Sequence, residues 1–363
     1  MRDAIDRARR RLLGTLAVLP GAALLPGLAA ADSDGRAHGR AVVDVREFGA
    51  RGDGSRDDTA AFQRAVDALP ASGGTIRVPS GRYLIDPLRS IRLRSRQHLS
   101  LAADARLLAI PNAAERAYVV LVQGVSDVEI SGGRIVGERD LHRGRGGEWG
   151  HGIMVRGAER VTVRDIHISR CWGDGISIGA IDVKGGPPVS SSDVTIARVS
   201  CAGNRRQGLT IGRSRRVRVH DCEFSGTAGT APQAGIDVEP DAGAGTADVR
   251  IERCRIHGNR GPGIQLWKRV REVVIADCVI ENNRGHGILL VDAGDVDIDG
   301  NRLLANTPAA IGLRGRTDAV RLRGNRFVAA ATKGKGRAKG VARHIRMMEG
   351  AVPALLGAGN VFD

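Results

Sequence analysis

The sequence predicts an all-β fold: a single-stranded right-handed parallel β-helix, or solenoid, with an N-terminal amphipathic capping helix. Three observations predict it. Short apolar-alternating strands open after recurring glycines at 152, 175, 208, 235, 263 and 287. A second strand follows each opening, and the residues after it fall into columns of like chemistry. The composition is 42% hydrophobic but only 3% aromatic, with 50 glycines in 363 residues. That suits thin layers of Val, Ile, Leu and Ala better than a globule packed on rings.

The openings read HGIMV (151–155), DGISI (174–178), QGLTI (207–211), AGIDV (234–238), PGIQL (262–266), HGILL (286–290) and AAIGL (309–313). The second strands begin at Val161, Val194, Val217, Val249, Val273, Val296 and Val320. Alternation with period two gives each strand one buried face. Constant strand motifs at unequal spacing place the insertions in loops that leave one repeating coil. An antiparallel sandwich would need hairpin turns and would not hold columns.

The columns hold. Five residues into each second strand stand Ile166, Val199, Cys222, Cys254, Cys278, Asn301 and Asn325. Five further on stand Cys171, Asn204, Asn259, Asn283 and Asn306. Stacked Asn side chains can bridge coils and satisfy turn backbone. A column from Ile168 and Cys201 to Phe327 points inward. All five cysteines fall on inward columns and read as reduced core residues, not as a disulfide framework or metal ligands.

The two ends read differently. Arg9-Arg10-Arg11, an apolar run to Ala31 and small residues before Asp32 have the form of a signal peptide of twin-arginine type. The expected organisation is therefore 1–31 signal peptide, 32–41 linker and 42–363 solenoid. Within it, 42–85 is a cap segment, 119–330 the main coils, and 331–363 a basic loop with a last partial coil. In the cap, Asp58 or Thr59 starts a helix whose apolar face is Ala61, Phe62, Ala65, Val66 and Leu69. The net charge of +15 favours anionic partners. For a periplasmic or secreted protein without a further membrane span, that means an acidic glycan rather than nucleic acid. A monomer is expected.

The strings FGARGDGSRDDT and GGTIRVPSGRY resemble the N-terminal segment shared by polygalacturonases, rhamnogalacturonases and pectate-lyase-superfamily β-helix proteins. With the coils, the resemblance spans about residues 42 to 330, and GNVF (359–362) echoes GNRF (324–327). It implies a parallel β-helix and carbohydrate chemistry, in a superfamily that also holds lyases, epimerases and phage tailspikes. The polygalacturonase motifs are incomplete: GDGISIG keeps Asp174, Gln207 stands where a His would, and no Arg-Ile-Lys follows. GIDVEPD is similar to the G-x-D-P-H motif of alginate epimerases at Asp237, but Glu239 takes the His place.

Outward positions of the post-glycine strands carry the candidate chemistry. Asp237 and Glu239 face one side about two strand rises, roughly 6–7 Å, apart, between the separations used for retaining and inverting hydrolysis. Asp174 lies two coils away. We expect Asp237, Glu239 and Asp174 in acid/base roles. Trp267 offers a sugar platform, and Arg205, Arg206 and Lys268 offer charges for a uronate. Gln207, Thr210, Gln265 and His151 line the groove, and Glu148 and Trp149 form a wall from the loop 138–150. The expected function is an exported polysaccharide-active enzyme, with a glycoside hydrolase on an acidic glycan ahead of a lyase or a uronate epimerase. A non-catalytic glycan-binding solenoid is the alternative from another class. No cofactor is required; a lyase would bring calcium, for which Asp237, Glu239 and Asp241 supply carboxylates.

Overall fold

The computed structural model describes residues 38–330 and 340–363, apart from 241, 242 and 244. The signal-peptide segment, Asp241 and most of the basic loop therefore lie outside the described residues.

The chain winds as a right-handed parallel β-helix with three faces per coil. Face 1 is built from the post-glycine strands, such as Trp149–Arg156, Leu209–Ile211, Ile236–Val238 and Ile264–Trp267. Face 2 holds the second strands, from Ala41–Asp44 to Leu355–Leu356. Face 3 holds short strands centred on the expected inward column, such as His167–Ser169 and Arg326–Val328. Strands of each face pair in parallel with the next coil, in unbroken register through the central coils. One antiparallel excursion interrupts this: Ala180–Ile181 pairs back on Val189–Ser190, so residues between them leave the coil as a hairpin beside face 1.

Alternation puts Ile, Val and Leu of all three faces inside. Ile236, Val238, Ile264, Leu266, Ile256 and Phe327 are all fully buried. The five cysteines are buried free thiols. At the coil corners the asparagine columns become ladders. Asn259 Nδ2 donates to Asn283 Oδ1 at 2.9 Å and Asn283 Nδ2 to Asn306 Oδ1 at 2.9 Å. Asn301 bonds Asn325, and Asn325 bonds Asn360, at 3.1 Å each. Each Oδ1 also accepts a backbone N–H from the preceding coil, as Asn283 does from Asn259. Gly263 shows why glycine opens each coil: a Cβ there would stand 2.6 Å from Gly287 O and from the Ile280 side chain.

The N-terminal segment is more than a cap. Ala41–Asp44 already pairs with Gly74–Val78, and that strand with Gln97–Leu101, so the stack starts well before residue 119. Helix α1 (Thr59–Ala68) is inserted in the first coil and buries Ala61, Phe62, Ala65 and Val66. The helix starts where expected, with Asp58 at the N-cap position, but no Asp58 side-chain bond caps it. Asp57 Oδ1, not Asp58, accepts the Thr59 N–H at 2.9 Å. Asp58 instead receives the Arg51 and Gly52 amides, which hold the turn ahead of the helix. At the far end Val361–Phe362 pairs with Arg326–Phe327 as the last partial coil.

Candidate active site

The register of face 1 sets one outward column: Met154, Ser177, Thr210, Asp237, Gln265, Leu289. The next outward column runs from Arg156 past Gly179 and Gly212 to Glu239 and Trp267. Gly179 has open space where a side chain would stand. The outward side of this column is therefore hollow at Gly179, while a Cβ on Gly212 would meet Ile178 O at 2.9 Å, and no open space surrounds the wholly buried Asp237.

Arg206 organises the acids. It occupies the turn before the Gln207-Gly208 opening, and its guanidinium reaches over face 1. Nη1 lies 3.4 Å from Asp174 Oδ2, Nη2 3.7 Å from Glu239 Oε2, and Nε 3.2 Å from Glu148 Oε2. The Nε–H points off line for a hydrogen bond to Glu148. Burial beneath this cluster is the main departure from expectation. Asp237 and Asp174 are outside the core but wholly inaccessible, with 0% exposure. A strand pattern tells which face a side chain takes, not what covers it. Glu239 and Glu148 reach solvent, at 28% and 32% side-chain exposure.

Asp237 lies between two amides: Gln207 Nε2 at 2.6 Å from Oδ2 and Gln265 Nε2 at 3.0 Å from Oδ1. Burial, then the neighbouring Glu239 charge, push its carboxyl well above the usual range. A half-turn of the Gln207 amide would place its oxygen as acceptor for a proton on Asp237, and 2.6 Å is an ordinary O–H···O length. Asp174 Oδ2 accepts from Thr210 Oγ1 at 2.9 Å, while its Oδ1 has no partner among the described residues. Burial pushes the Asp174 carboxyl up to about 6 against the pull of Arg206 and Thr210. His151 Nδ1 accepts the Asp174 backbone N–H at 3.0 Å. Burial, helped by Arg206, pushes that imidazole down to about 3, so it is neutral and carries its proton on Nε2.

Several expected substrate contacts are thus buried supports. Gln207, Thr210, Gln265 and His151 are all under 9% exposed. Arg205 is also corrected. Its guanidinium lies 3.7 Å over the Trp172 ring and donates to Gly147 O at 2.9 Å and Trp172 O at 3.3 Å. It clamps the loop 138–150 instead of facing a uronate. Trp149 sits under the Arg116 guanidinium at 4.1 Å. Trp267 is half-buried, with Lys268 Nζ 5.5 Å from its ring. Both line a separate cleft of about 370 Å³ with Asp292, Arg314 and Glu349.

Sequence reasoning missed the ring stack that anchors the loop. His142 lies on Trp172 at 3.8 Å, and His142 Nδ1 is 2.9 Å from Glu138 Oε1. Tyr118 stacks on His151 at 5.6 Å. The only signal available was the cluster of rare aromatic residues around one loop. The expected calcium set includes Asp241, which lies outside the described residues; among the described residues no three His, Cys, Asp or Glu side chains form a metal-holding group. Nor, among them, is any helix long and apolar enough to cross a membrane.

Comparison with known proteins follows the same lines. The family model described as rhamnogalacturonase A/epimerase, pectate lyase-like matches residues 42–289. YclG of Bacillus subtilis is 31% identical over 233 residues, 58% of this chain and 39% of that protein. The prophage-derived YorA of the same organism is 27% identical over 296 residues, 73% and 50%. The chain thus spans half or less of the length of these two relatives. Among solved structures, the A-module of the mannuronan C-5 epimerase AlgE4 of Azotobacter vinelandii superposes with a TM-score of 0.58 at 18% identity, over 89% of this chain and 97% of that one.

Proposed function

The chain belongs to the rhamnogalacturonase A/epimerase, pectate lyase-like family, and from that premise we propose that it is a polysaccharide-active enzyme that hydrolyses an acidic glycan on face 1. One observation carries the reading: four carboxylates, Glu148, Asp174, Asp237 and Glu239, converge around the guanidinium of Arg206, with Arg205 also close to Glu148. Fully ionised, the four acids would outnumber the two arginines by two charges in a half-buried site. It therefore holds a proton, and burial selects Asp237 to hold it.

Hydrolysis needs one carboxyl that donates a proton and one that accepts from water. Glu239 meets the glycan in the hollow at Gly179, with Asp237 behind it as the proton-holding partner. Glu148, on the other side of Arg206, is placed to take a proton from water. Arg206 holds the two glutamates apart, and Asp174 fixes Arg206. The acidic cluster repels a uronate carboxylate, so the sugar carboxylates fall to its flanks. Arg156 stands across the hollow, and Lys268 lies beyond Trp267. An acidic glycan accords with the basic charge of the whole chain.

The test is a panel of acidic and neutral polysaccharides with purified protein, following reducing ends and the ultraviolet absorbance of an unsaturated product. New reducing ends without absorbance support hydrolysis. Both together replace it with a lyase, and altered sugar composition at constant length replaces it with an epimerase. A second reading, a glycan-binding solenoid without turnover, is favoured by one observation: Asp174 and Asp237 are wholly buried, as structural acids would be. Retention of the glycan with no product would establish it.

A further inference from the structure

We infer that face 3 of the N-terminal coils carries a second glycan-binding site: an arginine track, remote in chain position from the face 1 cluster, that holds an acidic polysaccharide. Register places Arg82, Arg106 and Arg134 at one outward position of three successive coils. Adjacent coils stand about 4.8 Å apart, so three guanidinium groups stack along the solenoid axis. All three are exposed, and none has an ion-pair partner among the described residues.

Many arginines elsewhere are neutralised by stacked acids, although Arg302 and Arg326 also stand at successive outward positions of face 3. Along the corners leading into and out of face 2, arginines alternate with aspartates from coil to coil. Arg160 grips Asp127 at 2.6 and 3.0 Å, and Arg216 grips Asp193 at 2.6 Å through both nitrogens. Arg198 pairs with Asp165, and Arg253 with Asp221. Stacking in this fold forces like positions together, so neutral ladders are the arrangement that stability favours. Asp53 stands beside Arg82 in the preceding coil but is bonded to Ser55, so three like charges stacked without an ion pair cost folding energy and gain nothing inside the protein. An external polyanion supplies what they lack.

The track has a shape that fits a chain. Beside the arginines run Leu84, Leu108 and Val136 at the other outward position, an apolar strip on which sugar rings can lie. The next residue in the arginine column is His167. It opens into a cleft of about 470 Å³ with a floor of Ser169, Ala202 and Gly203, rimmed by Arg139, Asp140 and Arg170. The carboxylates of an extended uronan recur once per sugar, close to one coil rise, and can meet successive arginines. The identity of the occupant rests on the acidic-glycan reading proposed above; the existence of the track does not.

The test uses the full chain carrying Glu239→Gln, so that bound glycan is not consumed, and titrates sodium polygalacturonate at several salt concentrations. The triple variant Arg82→Ser/Arg106→Ser/Arg134→Ser is expected to bind about tenfold more weakly at low salt. The slope of log affinity against log salt should fall by about three, one per lost cation. The triple Arg→Lys variant keeps the charge and should keep most of the binding, which separates a lost site from a misfolded strand. Removing a neutral rung with Asp193→Asn/Arg216→Ser should leave binding unchanged. Unchanged affinity in the triple Ser variant overturns the track. Duplex DNA bound as tightly as polygalacturonate overturns the acidic glycan as its occupant. Failure of the enzyme reading shows separately, as intact wild-type binding without product.

Discussion

Arg206 is the residue on which the site turns, because it contacts three of the acids and opposes the effect of burial on Asp174 and Asp237. Asp174 gives the cleanest test. Its folded-state carboxyl is raised to about 6 from an ordinary 3.8, so it costs nothing below pH 4 and its full ionisation penalty above pH 6. A rise of that size corresponds to roughly 3 kcal/mol. His151 acts in the opposite sense: its depression to about 3 from 6.5 removes stability as pH falls from 6.5. The wild-type profile alone is therefore ambiguous, and the informative quantity is the difference between Asp174→Asn and wild type. Chemical denaturation should show that difference moving in favour of the variant by up to roughly 3 kcal/mol between pH 4 and pH 7. A pH-independent difference would mean that Asp174 is ionised without penalty. Which outward residues carry acids was legible in the sequence. That Asp237 and Asp174 are covered was not, because the cover comes from Arg206 in a turn and from a loop whose path no periodicity reports.

At the scale of elements, the coils are held by ladders rather than by large side chains. Asn283 is the middle rung of one: it accepts from Asn259 and donates to Asn306 and to Ile256 O. Asn283→Ala leaves several buried polar groups unpaired, at on the order of 1–3 kcal/mol each. Urea unfolding should show a loss of about 2–4 kcal/mol in total. Gly263→Ala drives a Cβ against Gly287 O at 2.6 Å and should cost about 1–3 kcal/mol by overpacking. Little change in either would mean that the coils shift more freely than this register implies. By contrast, breaking one exposed Arg–Asp rung on face 2 should cost under about 1 kcal/mol. These ladders were legible because stacking turns a spatial column into a sequence spacing. The first coils, from Ala41 to Ala109, were not, because α1 is inserted where a short turn would stand and no glycine opening marks them. The N-cap position at Asp58 was legible, but the direction of its side chain was not, because Asp57, Asp58 and Thr59 all have capping chemistry and only the path of the turn decides what each one bonds.

As a whole molecule, the solenoid sorts its chemistry by face. Face 1 gathers acids beside a hollow, the corners of face 2 carry neutral charge ladders, and face 3 of the early coils presents stacked arginines. Nothing in a parallel β-helix requires this sorting, since any outward position accepts any polar side chain. It accords with family membership, which shows the fold and relates the chain to polysaccharide-active proteins but does not choose a reaction. The central claim is that Glu239, backed by protonated Asp237, cleaves an acidic glycan in the hollow at Gly179. The most direct measurement compares reducing-end release from polygalacturonate and alginate by the wild-type protein and by Glu239→Gln. The wild type should release reducing ends and the variant should lose about 10²–10⁴-fold of that activity, with glycan binding retained. Equal release by the two proteins would contradict the claim.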